Sequence, residues 1–119
     1  MKKIIYSLAI ASIFTFPSFS SFAEKTCITK GVVTNLYIGW IEGKQAGLPD
    51  DGNSIMIDYR EGSKTGTIPV NYRYNLNDNG KGAAFFSMLQ TALLTGQKIT
   101  VKDHYSSNCD DFDEIIMHK

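Results

Sequence analysis

AAFFSMLQTALLTGQKITV, residues 83–101, is the stretch whose reading decides the fold. Ala83 to Leu94 is a run of good helix formers without glycine or proline, and Thr95-Gly96 closes it with the residue that suits a helix C-cap. Directly after it, Lys98 to His104 turns to β-branched composition, which reads as a short strand. The chain therefore passes from a helix to a strand within a few residues, and the segments on either side settle what that helix connects.

Upstream, Ile55, Ile57 and Tyr59 alternate with Met56, Asp58 and Arg60, and the alternation resumes at Ile68, Val70 and Tyr72 after a turn at Glu61 to Gly66. Period-two alternation predicts a hairpin with one buried face, which assigns Tyr72 to packing and leaves Tyr74 ambiguous. Pro69 cannot donate a ladder hydrogen bond, so its part of the second strand belongs at an edge or a bulge. Earlier still, Cys27 to Ile41 is rich in Val, Ile, Thr, Tyr and Trp without proline, a long strand in which Gly31 and Gly39 mark bulges or bends. Glu42 to Asn53 is a loop, and so is Asn75 to Gly82, whose Asp78-Asn79-Gly80 is a turn signal. After the short strand come an acidic loop through Cys109 to Asp113 and a last strand, Glu114 to His118. The predicted order is β-β-β-α-β-β, a mainly β chain with one helix.

The N-terminal 23 residues stand apart. Lys2 and Lys3 precede an apolar run from Ile4 to Phe16, and small residues lead to Ser21-Phe22-Ala23. This is the pattern of a cleavable secretory signal, with an apolar core shorter than the roughly 20 residues a bilayer-spanning helix needs. Cleavage after Ala23 leaves residues 24–119 as a single domain without a transmembrane segment, secreted or periplasmic. That domain holds 10 basic and 12 acidic residues, a net charge of −2, which argues against nucleic-acid binding by phosphate neutralisation. In an oxidising compartment the only two cysteines, Cys27 and Cys109, are expected to form a disulfide that staples the two ends of the domain.

Five strands with a helix between the third and fourth is the element order of a five-stranded OB-fold barrel, the oligonucleotide- and oligosaccharide-binding architecture. The helix is unusual for such a small domain. Phe85, Met88, Leu89 and Ala92 fall on one side, Phe86, Leu93 and Ala83 spread to the other, and no charge occurs between Ala83 and Leu94. A surface helix ordinarily carries one apolar stripe and a charged back. This one calls for cover on more than one side, either deep across the mouth of its own barrel or against neighbouring subunits through Phe85, Phe86, Leu89 and Leu93.

Two segments, GVVTNLYIGWIEGK at 31–44 and FFSMLQTALLTGQKITV at 85–101, resemble the cell-binding B subunit of subtilase cytotoxin and the related binding subunit of typhoid toxin. Gly31, Val32, Val33 and Gly39 match the family's first strand; Phe86, Ser87, Leu89, Ala92, Thr95, Gly96 and Gln97 match its helix and the Thr-Gly-Gln that follows. The likeness covers about a third of the domain. It implies an exported barrel, assembled as a homopentamer, that recognises sialylated or other host cell-surface glycans and delivers a separate catalytic subunit. Two departures stand out: Lys30 occupies the place of a serine that helps the family hold sialic acid, and the family's aromatic, proline-rich stretch after the penultimate strand gives way to Tyr105 to Asp113.

Taken from the residues themselves, glycan binding needs an exposed aromatic face and a few convergent polar groups. Lys30, Asn35, Tyr37 and Trp40 are the candidates, with packing within a small core the favoured reading of Trp40. Catalysis has less to draw on. His104 and His118 are surface residues on this reading, no nucleophile elbow is present, and both cysteines are committed to each other, so the expectation is no enzyme and no cofactor. Asp110, Asp111, Asp113 and Glu114 do not follow an EF-hand spacing, which leaves a solvated acidic turn and no metal. The competing function is a stand-alone secreted or periplasmic OB-fold protein that binds another protein as an inhibitor or immunity-like factor.

Overall fold

The computed structural model describes residues 24–39 and 52–119. Trp40, most of the loop after it and the segment 1–23 lie outside the described residues. Within them the elements run β1 (Lys25–Gly39), β2 (Ser54–Glu61), β3 (Lys64–Pro69), α1 (Lys81–Thr95), β4 (Ile99–Asp103) and β5 (Glu114–Met117), the order that the sequence predicts.

All five strands belong to one sheet, ordered β3-β2-β1-β4-β5, in which every neighbouring pair is antiparallel. The length of β1 makes this possible. Its first half pairs with β4 and its second half with β2, and the change of partner is accompanied by an irregularity between Ile28 and Gly31, where Lys30 takes a left-handed φ of 50°. The sheet is not closed. Its two edges meet at one parallel bridge, Val70 to Phe112, where Asn71 N–H donates to the Phe112 carbonyl at 2.7 Å and Phe112 N–H to the Pro69 carbonyl at 3.1 Å. Pro69 thus ends an edge strand, as its missing donor requires.

The hairpin differs from expectation in two respects. The turn is only Gly62-Ser63, with Gly62 at φ 61°, because Lys64 pairs directly with Glu61 and Thr65 with Arg60. The strand also stops at Pro69: Asn71 begins a turn, its carbonyl accepting from Tyr74 N–H at 2.9 Å, and Tyr72 is 40% exposed rather than packed.

Ile28, Ile55, Ile57, Leu89, Ile99, Val101 and Phe112 are wholly buried and form the centre of the core. Burying each such side chain contributes about 1.5–3 kcal/mol. Phe112 shows that the acidic loop is not simply solvated: it drops inward between Asp111 and Asp113, and Phe85 of α1 lies 6.3 Å from it while stacking on Tyr74 at 5.1 Å. On the helix, Leu89 and Ala92 are buried in the chain's own core, and Phe85, Phe86 and Leu93 pack partly buried against it. Leu94 is left outward, 77% exposed. The helix begins with Asp78 accepting from Gly82 N–H at 2.8 Å, and it ends at Gly96, φ 71°, whose N–H reaches the Ala92 carbonyl. Cys27 and Cys109 form the expected disulfide, joining β1 to the β4–β5 loop.

Candidate functional site

The strand register sets up a polar site on the outer face of β1, β2 and β3. Between Val33 and Asn35 the β1–β2 ladder shifts by one residue, a bulge at Thr34. The extra residue resets which side chains face outward, so that Val33 is buried while Asn35 and Tyr37 are exposed. Asn35 then stands opposite Asp58 of β2, and Asp58 stands opposite Thr67 of β3. Three polar side chains line up across three strands, and Tyr37 reaches in diagonally.

All of them converge on one carboxylate. Asn35 Nδ2 donates to Asp58 Oδ2 at 3.0 Å, Tyr37 O–H donates to the same oxygen at 2.6 Å, and Thr67 O–H donates to Oδ1 at 2.6 Å. Donation from Thr67 and then Tyr37, with the least part from Asn35, holds the Asp58 carboxyl below its ordinary range against the opposing effect of burial. The same bond raises the Tyr37 phenol, because losing its proton would leave two anions in contact. An open cleft of about 310 Å³ lies here, lined by Thr34, Asn35, Asp58, Tyr59, Thr65, Gly66 and Thr67.

Of the residues singled out for glycan binding, Asn35 and Tyr37 come together. Lys30 belongs to the half of β1 that pairs with β4, where its backbone N–H donates to Thr100 Oγ1 at 3.1 Å, and Trp40 lies outside the described residues. Asp58 and Thr67 escaped notice. The signal for Asp58 was present, since the alternation puts it on the outer face, but its partners emerge only once the register is known.

A second polar group sits where β4 meets β5. His104 Nδ1 lies 2.6 Å from Asp113 Oδ1, and its Nε2 lies 3.1 Å from Glu114 and 3.9 Å from Glu24, while Glu24 pairs with Lys102. Hydrogen bonding to Asp113, helped by the nearby Glu114 and Glu24 charges, raises the His104 pKa. Ligand atoms of Glu24, His104 and Glu114 lie within 4.8 Å of one another. Lys102 pairs with Glu24, and the imidazole bridges Asp113 and Glu114, so the arrangement suits a clasp between the start of β1, the end of β4 and the start of β5. His118 is likewise engaged, its Nε2 being 2.8 Å from Thr100 Oγ1.

Beside the clasp, Arg73 lies over the rings of Tyr105 at 4.2 Å and Tyr72 at 5.4 Å. The β4–β5 loop that carries Tyr105 is fixed by the buried Asp103 carboxylate, which accepts from Tyr105 N–H, Ser106 N–H and the Ser106 hydroxyl. No helix among the described residues is long and apolar enough to cross a membrane. No protein-family model, curated protein or solved structure matches the chain.

Proposed function

We propose that this chain is an exported, non-catalytic glycan-binding subunit: a five-stranded OB-fold barrel, secreted or periplasmic, that assembles as a homopentamer, recognises host cell-surface glycans and carries a separate catalytic subunit. The observation that carries the glycan reading is the Asp58 cluster, a carboxylate with an amide, a phenol and a hydroxyl around it on an open three-stranded face. A carboxylate ringed by neutral polar groups suits the hydroxyls of a sugar, with Tyr37, 41% exposed, offering an aromatic edge.

The barrel reading is supported by the strand order and by the parallel bridge between Val70 and Phe112, which brings the two sheet edges to each other. In an OB-fold the face of strands two and three, with the loop between strands one and two, binds oligosaccharides, and a cleft lined by Asp58 of β2 and Thr67 of β3 is in keeping with that reading. The disulfide is in keeping with export. The delivery role rests on the resemblance of residues 31–44 and 85–101 to toxin binding subunits. Lys30 is not among the residues lining the Asp58 cleft, so the site proposed here does not depend on the position of the family's missing serine.

The test is a glycan array probed with the oxidised, exported protein and with Tyr37→Ala. Retention of a defined set of glycans that is lost in the variant supports the reading. A protein that retains no glycan at any concentration tried is not a lectin, and the search then turns to protein partners.

A further inference from the structure

From the direction of the hydrogen bonds at Asp58 we infer that this face selects uncharged sugars through donating hydroxyl groups and turns acidic sugars away. The inference rests on the glycan-binding reading above and names the ligand class of that same site.

Asp58, as a carboxylate, can only accept. Tyr37 and Thr67 have one hydroxyl proton each, and both protons are spent on Asp58, at 2.6 Å and 2.6 Å. Toward a ligand these two oxygens therefore act as acceptors. Asn35 has committed one of its two N–H groups to Asp58 and keeps one, together with its carbonyl oxygen. Oδ2 of Asp58 already accepts twice, and Oδ1 accepts once and has room for one more donor. The cleft thus offers acceptors on Asp58 and Thr67, with the Tyr37 oxygen bonded to Asp58 but outside the lining, against a single donor of fixed geometry on Asn35. Thr34 and Thr65, at the sides of the cleft, carry hydroxyls that rotate to give or to take.

A pair of neighbouring sugar hydroxyls answers this pattern, since each can donate to Asp58 or Thr67 and accept from Asn35. A carboxylate, sulfate or phosphate has no proton to give. It would place its charge against the Asp58 carboxylate, the only charged group lining the cleft. The next outward residue along β2 is Arg60, which is exposed and does not line the cleft. It is the residue through which an acidic sugar would have to be drawn to this face if the inference were wrong.

The experiment presents matched glycans, the same neutral cores with and without an acidic cap on the terminal sugar, to the oxidised exported protein and to Asp58→Asn and Arg60→Ala. Titration of the retained glycans is followed by amide chemical shifts of the labelled protein. The expected result is binding of uncapped cores, shifts centred on Asn35, Asp58 and Thr67, and a loss of roughly 10- to 100-fold in affinity for Asp58→Asn, with Arg60→Ala unchanged. The amide spectrum of each variant reports whether its fold is intact. Preferential binding of acid-capped glycans, weakened by Arg60→Ala, overturns the inference and leaves the lectin reading standing. Binding of neutral glycans that Asp58→Asn does not weaken also overturns it. If neither class binds, the lectin reading itself falls, and the inference with it.

Discussion

His104 Nδ1 and Asp113 Oδ1 are 2.6 Å apart, which ties the end of β4 to the start of β5 through a bond that is strengthened when the imidazole is charged. Hydrogen bonding to Asp113 raises the imidazole pKa above its ordinary value of about 6.5. A folded-state pKa that is raised stabilises the native state while the imidazole is charged. The contribution is therefore complete below the ordinary value and disappears as pH climbs through the raised one. Urea midpoints measured from about pH 6 to pH 8 should fall for the wild-type protein more than for His104→Gln. Parallel profiles for the two proteins would mean that the charge on the imidazole adds nothing to stability.

Glu24 and Lys102 act in the opposite window. The Lys102 ammonium lowers the Glu24 carboxyl, so this contribution is present above the ordinary carboxylate range and is lost on acidification. Glu24 is exposed and Lys102 half-buried at the surface, so the effect is small and sensitive to salt. Adding salt to about 1 M should erase the stability difference between wild type and Glu24→Gln near neutral pH, as read from urea midpoints. A difference that persists at high salt would point to a packing role for the Glu24 side chain.

The disulfide closes a loop with a sequence separation of 82 residues. By loop-closure entropy alone, a bridge of this span stabilises by about 4 to 5 kcal/mol, a large share of what a small domain has. Replacing Cys27 and Cys109 together by alanine should lower the unfolding free energy by about that amount and leave a domain close to unfolding at 37 °C. An unfolding transition that stays within about 1 kcal/mol of the oxidised wild type would show that β1 holds the sheet together without its staple.

Gly82 provides a sharp check on the helix start. In an ordinary helix interior, replacing glycine by alanine stabilises by about 1 kcal/mol. Here a Cβ on Gly82 would meet the Asn75 carbonyl oxygen at 1.8 Å, and that oxygen is backbone that cannot swing aside. Gly82→Ala should therefore destabilise by about 2–4 kcal/mol, against the propensity scale. Thermal melts alongside Ala84→Gly, where the side chain is exposed, would separate the two effects; a Gly82→Ala protein that melts higher than wild type would show that the Asn75 turn can retreat.

Much of this architecture could be read from the sequence because its signals are local. Alternation marked β2, the missing donor of Pro69 marked an edge, Gly96 marked the helix end, and two cysteines left one possible pairing. What escaped was set by tertiary context. Lys64 and Thr65 look like turn residues, yet on an edge strand they are free to be polar, so β3 begins earlier than its apolar alternation suggests. Tyr72 continues that alternation on paper after the strand has ended. At the site, Asn35 and Tyr37 were visible as polar and aromatic residues of β1, but Asp58 and Thr67 became their partners through a bulge at Thr34 that sequence spacing does not reveal.

The last prediction concerns the outward side of α1. Between Ala83 and Leu94 the helix has no charge, and its own core absorbs Leu89 and Ala92 completely. Leu94, 77% exposed, faces away from that core and gains nothing from the fold of a single chain. In a ring built around the helices it would lie at or near the contact, where burying it contributes about 1.5–3 kcal/mol per copy. Leu94→Glu should then dissociate the assembly into single subunits, seen by light scattering coupled to size exclusion. The urea midpoint of the separated chain should stay within about 0.5 kcal/mol of wild type, as expected for an exposed position. If the variant keeps the assembled mass, the contact runs over another surface, and the uncharged helix needs a different partner. If the wild-type protein already runs as one subunit, the ring is excluded and the helix no longer supports a toxin-type assembly.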